Sequence, residues 1–551
     1  MSPPGPLLRW AGLGRGRALA LLLLIGLAFY LPGFTGLPAV DRDEAHFAQA
    51  SKQMLESGNF VDIRMQEATR YNKPIGIYWL QTAAVGLAGR PLDDIWPYRL
   101  PSLAGALLAL VFLARLGGRL FDPRVGLIAA LLLGASLLLG VEARLAKTDA
   151  ALLATTMAAF DGLAAAYLGR AKRVSALQFW IALSLGILIK GPVLPFFILT
   201  TAGTVSLIGR RWRWLGTLEP RLGLPLLVLI VAPWLAAIGI ASHGAFFSQS
   251  LGHDFGAKLV GGEESHGFPP GFYLVAMAVT FWPGGLLFAA ALPSLWRQRR
   301  ETAIRFLLCW LIPAWLVLEL VPTKLPHYVL PLYPAVALLA AAVFADGSQG
   351  LGAGWPKWIR RAGAGLWFAT GLAVAAGVAA VGWRLTGRLD AIAVVTLLLV
   401  GVAMALALLA FVRGARDAGL MGLLTASFLL QAGGFGFTLP RLDPLWVSRS
   451  EARLVAETSP CPRPVIGVAG DFEPSLVFLL GTETKPLDGP GAARYLLAAR
   501  GKTCALALVS AKEDNAFRDT LAGAIPQDLG KVEGIDYSTG KDQRMTLYGL
   551  P

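Results

Sequence analysis

Charge is scarce in this chain: Asp, Glu, Lys and Arg make up only 15% of its 551 residues, against 55% hydrophobic residues. So little polar surface excludes a soluble globular enzyme and describes a chain that crosses a membrane many times. Cysteine is scarcer still, with three residues in all, and nothing in their spacing suggests a zinc site. No small-residue cleavage pattern follows the first apolar segment, which begins behind Arg9, Arg15 and Arg17, so that segment reads as a retained signal anchor. The two halves also lack a mirrored hydropathy pattern, and the charges near the spans gather on one side rather than at the bilayer midplane. Both absences argue against an alternating-access transporter.

What is present is a series of apolar runs long enough to span a bilayer at about 1.5 Å of rise per helical residue. They fall near 18–34, 98–118, 124–141, 148–168, 175–189, 191–208, 221–241, 271–293, 303–320, 328–345, 363–383, 391–412 and 417–437. That makes about thirteen spans, with the pair flanking Lys190 and Pro192 also readable as one broken helix. A scaffold that merely anchored a binding domain would need far fewer.

Short loops bearing Arg119 and Arg124, then Arg170, Lys172 and Arg173, then Arg210, Arg211 and Arg213, alternate with loops poor in Lys and Arg, and the alternation continues to Arg413 and Arg416. The basic loops are expected to be cytoplasmic. The formal charge of +14 is then a topology and anionic-lipid signal, and no folded basic domain exists to bind nucleic acid. External segments follow at 35–97, at 242–270, around Lys324 and after about Pro440. The expected organisation is a transmembrane domain over 1–439 and a small soluble periplasmic α/β domain over 440–551.

In that last domain, runs Pro464–Ala469, Leu476–Leu480 and Cys504–Val509 read as strands and Gly491–Arg500 as a helix. Cys461 and Cys504 lie there, either as a disulfide or as two unpaired thiols, while Cys309 sits inside an apolar span.

The first external loop holds most of the chemistry. Asp43 and Glu44 open a helix-like stretch whose apolar positions Phe47, Ala50, Met54 and Leu55 recur at helical spacing, suited to lying on the membrane surface, with Gly58 to end it. Lys73 follows ahead of Pro74, Tyr78 and Trp79, where a second interfacial helix is expected. As plain structure, Asp43 and Glu44 would be a helix start with favourable dipole contacts, and Lys73 a snorkelling lysine. Ionisable residues at the ends of spans tip the balance toward a site, because they are costly there: Asp149, Lys190 and Lys324 all fall on the external side. The 242–270 loop, with His253, Asp254, Lys258, Glu263, Glu264 and His266 among several glycines, reads as a lid over that site or as an exposed polar connection.

Taken in order, Asp43-Glu44, Lys73-Pro74 with Tyr78-Trp79, Arg99-Leu100-Pro101-Ser102, Lys147-Thr148-Asp149, Lys190-Gly191 and Lys324-Leu325-Pro326 with Tyr328 resemble the type C glycosyltransferases over roughly residues 18–345. The resemblance is narrower to the lipid A aminoarabinose transferases and their protein O-mannosyltransferase relatives.

That resemblance implies a thirteen-span helical enzyme in the bacterial inner membrane. It would work on the periplasmic side, taking a sugar from an isoprenyl (undecaprenyl-type) phosphate carrier and passing it, with inversion, to lipid A or another envelope glycolipid. A protein acceptor, and a flippase of lipid-linked sugars, are the alternatives. Asp43 and Asp149 map onto the family's acidic positions with Glu44 beside them; Lys73, Lys190 and Arg99 would hold the carrier phosphate; and His253, His266, Lys324 and Tyr328 would line the substrate and its lid. The chain is expected to act as a monomer, with the bilayer and two lipid substrates as its partners. Two departures bear on a metal: Asn72 stands where these enzymes carry glutamate, and His46 where they carry arginine. A divalent ion held by Asp43, Glu44 and His253 or His266 is left open, against plain hydrogen-bonding histidines.

Overall fold

The computed structural model describes residues 15–40, 42–250, 267–347, 352–537 and 539–550. Among them, nine helices are long and apolar enough to cross a membrane, and three shorter apolar ones accompany them at Gly16–Tyr30, Pro123–Gly134 and Val193–Gly209. The run expected at 271–293 is divided into two helices, Phe272–Thr280 and Gly285–Gln298, on either side of Trp282-Pro283. Around Lys190 the chain does not continue as one broken helix. The helix Arg173–Lys190 ends, Gly191 takes a positive φ of 61°, and Val193–Gly209 starts anew.

Two close approaches set the frame of the Asp43 face. The helix Trp96–Leu120 crosses Asp149–Tyr167 at Gly105, where an added Cβ would fall 2.7 Å from the Ala150 backbone. Only a residue without a side chain allows two spans to approach so closely. Gly76 opens the helix Gly76–Ala88 against the end of Arg173–Lys190 in the same way, with its Cβ position 2.7 Å from the Leu188 carbonyl oxygen. The Asp149–Tyr167 helix is buried along nearly its whole length. It therefore presents its first residue, Asp149, from a rigid core.

On that face the helix Asp43–Ser57 forms as its periodicity predicts, closed by Gly58 at φ 71° with its N–H on the Met54 carbonyl. It does not lie on an open membrane surface with one wet face. Gln49, Ser51 and Lys52 are buried along with Phe47, Ala50 and Met54, because residues from the far end of the chain cover its polar side. The short hairpin β1 (Arg64–Met65) and β2 (Ala68–Thr69) follows.

The covering unit carries a five-stranded sheet: β3 (Val465–Ala469), β4 (Lys485–Leu487), β5 (Ala505–Ser510), β6 (Gln527–Asp536) and β7 (Lys541–Gly549), in spatial order β4-β3-β5-β7-β6. The β4-β3-β5 pairs are parallel and the β5-β7-β6 pairs antiparallel. Leu476–Leu480, expected as a strand, is the end of a helix, Pro474–Leu480. A five-residue apolar run fits either structure, and Pro474 at the first helical turn decides for the helix. Cys461 and Cys504 are joined as a disulfide, and Cys309 is a buried free thiol.

The helix Pro474–Leu480 is what docks on Asp43–Ser57. Phe478 is fully buried against Tyr98, with ring centroids 5.4 Å apart, in a cluster with Ala48, Val85, Ile95 and Ala146. Lys52 Nζ donates to the Phe478 carbonyl at 2.8 Å, Gln49 Nε2 to Thr482 Oγ1 at 2.8 Å, and Thr482 Oγ1 to Glu56 Oε2 at 2.7 Å. Burial depresses the Lys52 ammonium below its ordinary range.

Candidate active site

Five chain segments converge beside the start of the Asp43–Ser57 helix: that helix, the end of Leu137–Glu142, the turn Ala143–Thr148, the first turn of Asp149–Tyr167, and the end of Arg173–Lys190. The 3-10 turn Pro326–Leu332 closes the group with His327 and Tyr328. Lys147 stands between two carboxylates, its Nζ 3.8 Å from Asp43 Oδ2 and 3.4 Å from Glu142 Oε1. Lys190 Nζ lies 2.6 Å from Asp149 Oδ1 and 5.8 Å from the centre of the Tyr328 ring. Acids and ammonium groups thus alternate across one face.

Their exposures differ, and that separates their roles. The Asp43 side chain is 57% exposed, whereas Glu142 and Asp149 are at 3%. Asp43 is therefore the carboxylate that a reactant can reach. Partial burial works to raise its pKa, but Lys147 and then His327 outweigh that, so its carboxyl lies below the usual carboxylate range. Burial works to lower the Lys147 pKa, and Glu142, Asp149 and Asp43 together reverse it, leaving this ammonium raised. His46, one turn into the Asp43 helix, is pushed down to about 4 by burial and the nearby Arg70 cation, which leaves it neutral at pH 7.

The remaining sequence candidates divide. Glu44 and Arg99 do not share the exposure of Asp43 but lie beneath it, both with side chains at 0% exposure. Arg99 Nε and Nη2 bind the two Glu44 oxygens at 2.8 and 2.9 Å, and its other donors go to the carbonyls of Phe34, Leu37 and Pro38. Glu44 also accepts the N–H groups of Val40 and Ala146. An arginine with its whole fork committed to protein oxygens has no donor left for a carrier phosphate, so Arg99 is a scaffold residue. Lys324 is a second correction: it is buried, and its Nζ donates to the carbonyls of Phe268 and Val321, tying the chain around 268 to the connection after Thr302–Leu320. Lys73 Nζ meets the carbonyl of Asn72 at 2.9 Å. Its neighbour Pro74 packs next to Gly191, a Cβ there falling 3.9 Å from Pro74 Cγ, so the Lys73 turn and the Lys190 helix end share one corner. His253 and His266, and most of the expected lid, lie outside the described residues.

Lys147, Glu142 and His327 complete the cluster without having been singled out. Lys147 was visible in the Lys147-Thr148-Asp149 motif; Glu142, at the end of an apolar run, carried no signal beyond being ionisable there. As for a metal, among the described residues no three His, Cys, Asp or Glu side chains converge as a ligand set. Asp43 has a cation, Lys147, 3.8 Å away, and His253 and His266, the two histidines of the expected metal set, lie outside the described residues.

The multispan helical core with its docked sheet unit is shared with solved membrane proteins. The crystal structure of ArnT from Cupriavidus metallidurans bound to undecaprenyl phosphate superposes with a TM-score of 0.74, covering 97% of this chain and 98% of that one at 18% identity. The archaeal oligosaccharyltransferase AglB from Archaeoglobus fulgidus, in complex with an inhibitory peptide and a dolichol-phosphate, gives 0.53 at 13% identity, over 97% of this chain and 74% of that one.

In sequence, residues 72–236 match the dolichyl-phosphate-mannose-protein mannosyltransferase family. The undecaprenyl phosphate-alpha-4-amino-4-deoxy-L-arabinose arabinosyl transferase of Pseudomonas aeruginosa is 28% identical over 334 residues, 59% of each chain. That of Pectobacterium carotovorum is 26% identical over 335 residues, 60% of this chain and 59% of that one. The matched region thus spans about 59% of the length of these curated relatives. The chain shares the fold of ArnT and, over its matched region, resembles the aminoarabinose arabinosyl transferases in sequence.

Proposed function

We propose that the protein is an inverting membrane glycosyltransferase. It takes a sugar from a polyprenyl phosphate and passes it to an acceptor on the Asp43 face, most simply lipid A or another envelope glycolipid. The observation that carries this reading is the reachable Asp43 carboxylate held ionised 3.8 Å from Lys147, on a fold shared with an undecaprenyl phosphate-binding ArnT.

In the reaction, an acceptor hydroxyl attacks the anomeric carbon while Asp43 takes its proton; the bond from that carbon to the phosphate oxygen breaks, and its electron pair leaves on the polyprenyl phosphate. Negative charge grows on the departing phosphate, where fixed cations are worth most. Lys190, oriented by Asp149, and Lys73 at the same corner supply them. Lys147 favours the ionised form of Asp43 further, and an acceptor that is already anionic would dispense with the base altogether.

A periplasmic site in the inner membrane is supported by two features. The basic loops lie at the opposite ends of the spans. The Cys461–Cys504 disulfide, which belongs in an oxidising compartment, stands in the unit that docks on the Asp43 helix. The test is mass spectrometry of envelope lipids from a deletion strain and its parent: loss of a species heavier by one sugar names the transferred group, and identical lipid profiles with intact protein glycosylation would remove the reading.

A further inference from the structure

At the ends of the spans away from Asp43, an open cavity of about 530 Å³ lies between the first helix, Trp96–Leu120, the start of Pro123–Gly134 and the turn after Asp149–Tyr167. Its lining divides in two. Ala18, Leu19, Leu22 and Leu127 make an apolar wall, and Arg115, Arg119 and Arg170 make a basic rim. One carboxylate faces these guanidinium groups: Asp161, wholly buried in mid-helix, accepts from Arg119 Nε at 2.9 Å, from Arg115 Nη2 at 3.2 Å and from Gln178 Nε2 at 3.0 Å. Three cations against one anion leave the cavity positive. Arg115 Nε is buried with no hydrogen-bond partner, and the Arg170 side chain is exposed. A buried carboxylate this far inside a span is costly unless it holds something in place. Here it fixes two arginines near the end of the Trp96–Leu120 helix away from Asp43.

We infer that this cavity binds the phosphate of an anionic glycerophospholipid, with the arginines on the phosphodiester and an acyl chain along Leu19 and Leu22. Surplus positive charge selects the anion, and the apolar wall continuous with the rim selects a lipid over a soluble phosphate. The site is separate from the carboxylate-lysine cluster, and its assignment does not depend on which sugar, if any, the protein transfers.

The test uses the purified full-length protein, delipidated in detergent and titrated with dioleoyl phosphatidylglycerol, with bound lipid counted by native mass spectrometry. Dioleoyl phosphatidylcholine and glycerol 3-phosphate serve as comparison ligands. One phosphatidylglycerol should be retained well above the others, and Arg170→Glu should weaken that retention about tenfold, the loss of one charge-assisted contact. Leu19→Trp, which fills the apolar wall and leaves every charge in place, should weaken it similarly while donor turnover stays at the parental rate. Equal retention of phosphatidylcholine, equal binding of glycerol 3-phosphate, or parental retention by both variants would overturn the assignment.

Discussion

Arg99 grips Glu44 through two parallel hydrogen bonds of 2.8 and 2.9 Å, with neither side chain exposed to solvent. Because Glu44 follows Asp43 directly, this fork fixes the backbone from which the Asp43 carboxylate projects. Arg42, just before it, holds a left-handed φ of 65°, a strain that persists only where surrounding contacts impose it.

Breaking the fork should therefore look like a stability defect. Glu44→Gln leaves the Arg99 cation without its counter-charge and should cost about 3 kcal/mol, as expected when one partner of a buried pair is removed. Thermal unfolding in detergent, set beside activity per folded molecule, checks this. A stable but inactive Glu44→Gln protein would return Glu44 to the chemistry.

Lys147 should set the acid limb of the pH profile. Asp43 has a depressed pKa in the folded protein, so its base form persists through neutral pH and is lost only as pH falls below the ordinary carboxylate value of about 3.9. Lys147→Met removes the largest of the influences that lower it, so the acid limb of kcat/KM should move to higher pH. An unshifted limb would mean that Lys147 does not act on Asp43.

Lys190 and Lys73 should behave alike. Lys190→Ala and Lys73→Ala are each expected to lower kcat/KM for the polyprenyl-linked sugar by roughly tenfold or more, the value of one hydrogen bond to a charged group. Arginine should restore activity only in part, because its planar fork differs in shape from an ammonium. Parental kinetics in both alanine variants would place the phosphate elsewhere.

Docking of the sheet unit should matter to turnover at a distance. Phe478→Ala empties a buried position against Tyr98 and should cost about 3 kcal/mol. It should also lower kcat more than it raises KM, since it loosens the Asp43 helix rather than the donor corner. Equal kcat with a lowered melting temperature would make the contact purely structural.

Much of this was readable in the chain. The Asp43–Ser57 helix carried its own periodicity and its terminating Gly58, and Asp149 and Lys190 were conspicuous as charges at the ends of apolar spans. What failed to show was pairing over distance. Nothing near Arg99 in sequence reveals that Glu44, 55 positions earlier, will absorb its charge, or that the Lys324 ammonium will turn to the Phe268 carbonyl instead of a ligand. The cover over Gln49 and Lys52 was hidden for the same reason, since Phe478 and Thr482 arrive from more than 420 residues away.

Orientation can be read with single cysteines in a background lacking the native three. Exposed Ser57 and Thr539 are expected to react with an impermeant thiol reagent in intact spheroplasts, and exposed Thr217 is not. The reverse pattern would invert the protein in the membrane.

The most direct test of the account is turnover by purified Asp43→Asn protein of the polyprenyl-phosphate sugar that the parent uses, with a hydroxyl acceptor. The amide keeps the size of the carboxylate and loses its charge and basicity. A parental melting temperature, retained donor binding and no measurable transfer are expected. Transfer at the parental rate would contradict the role of Asp43 as the base.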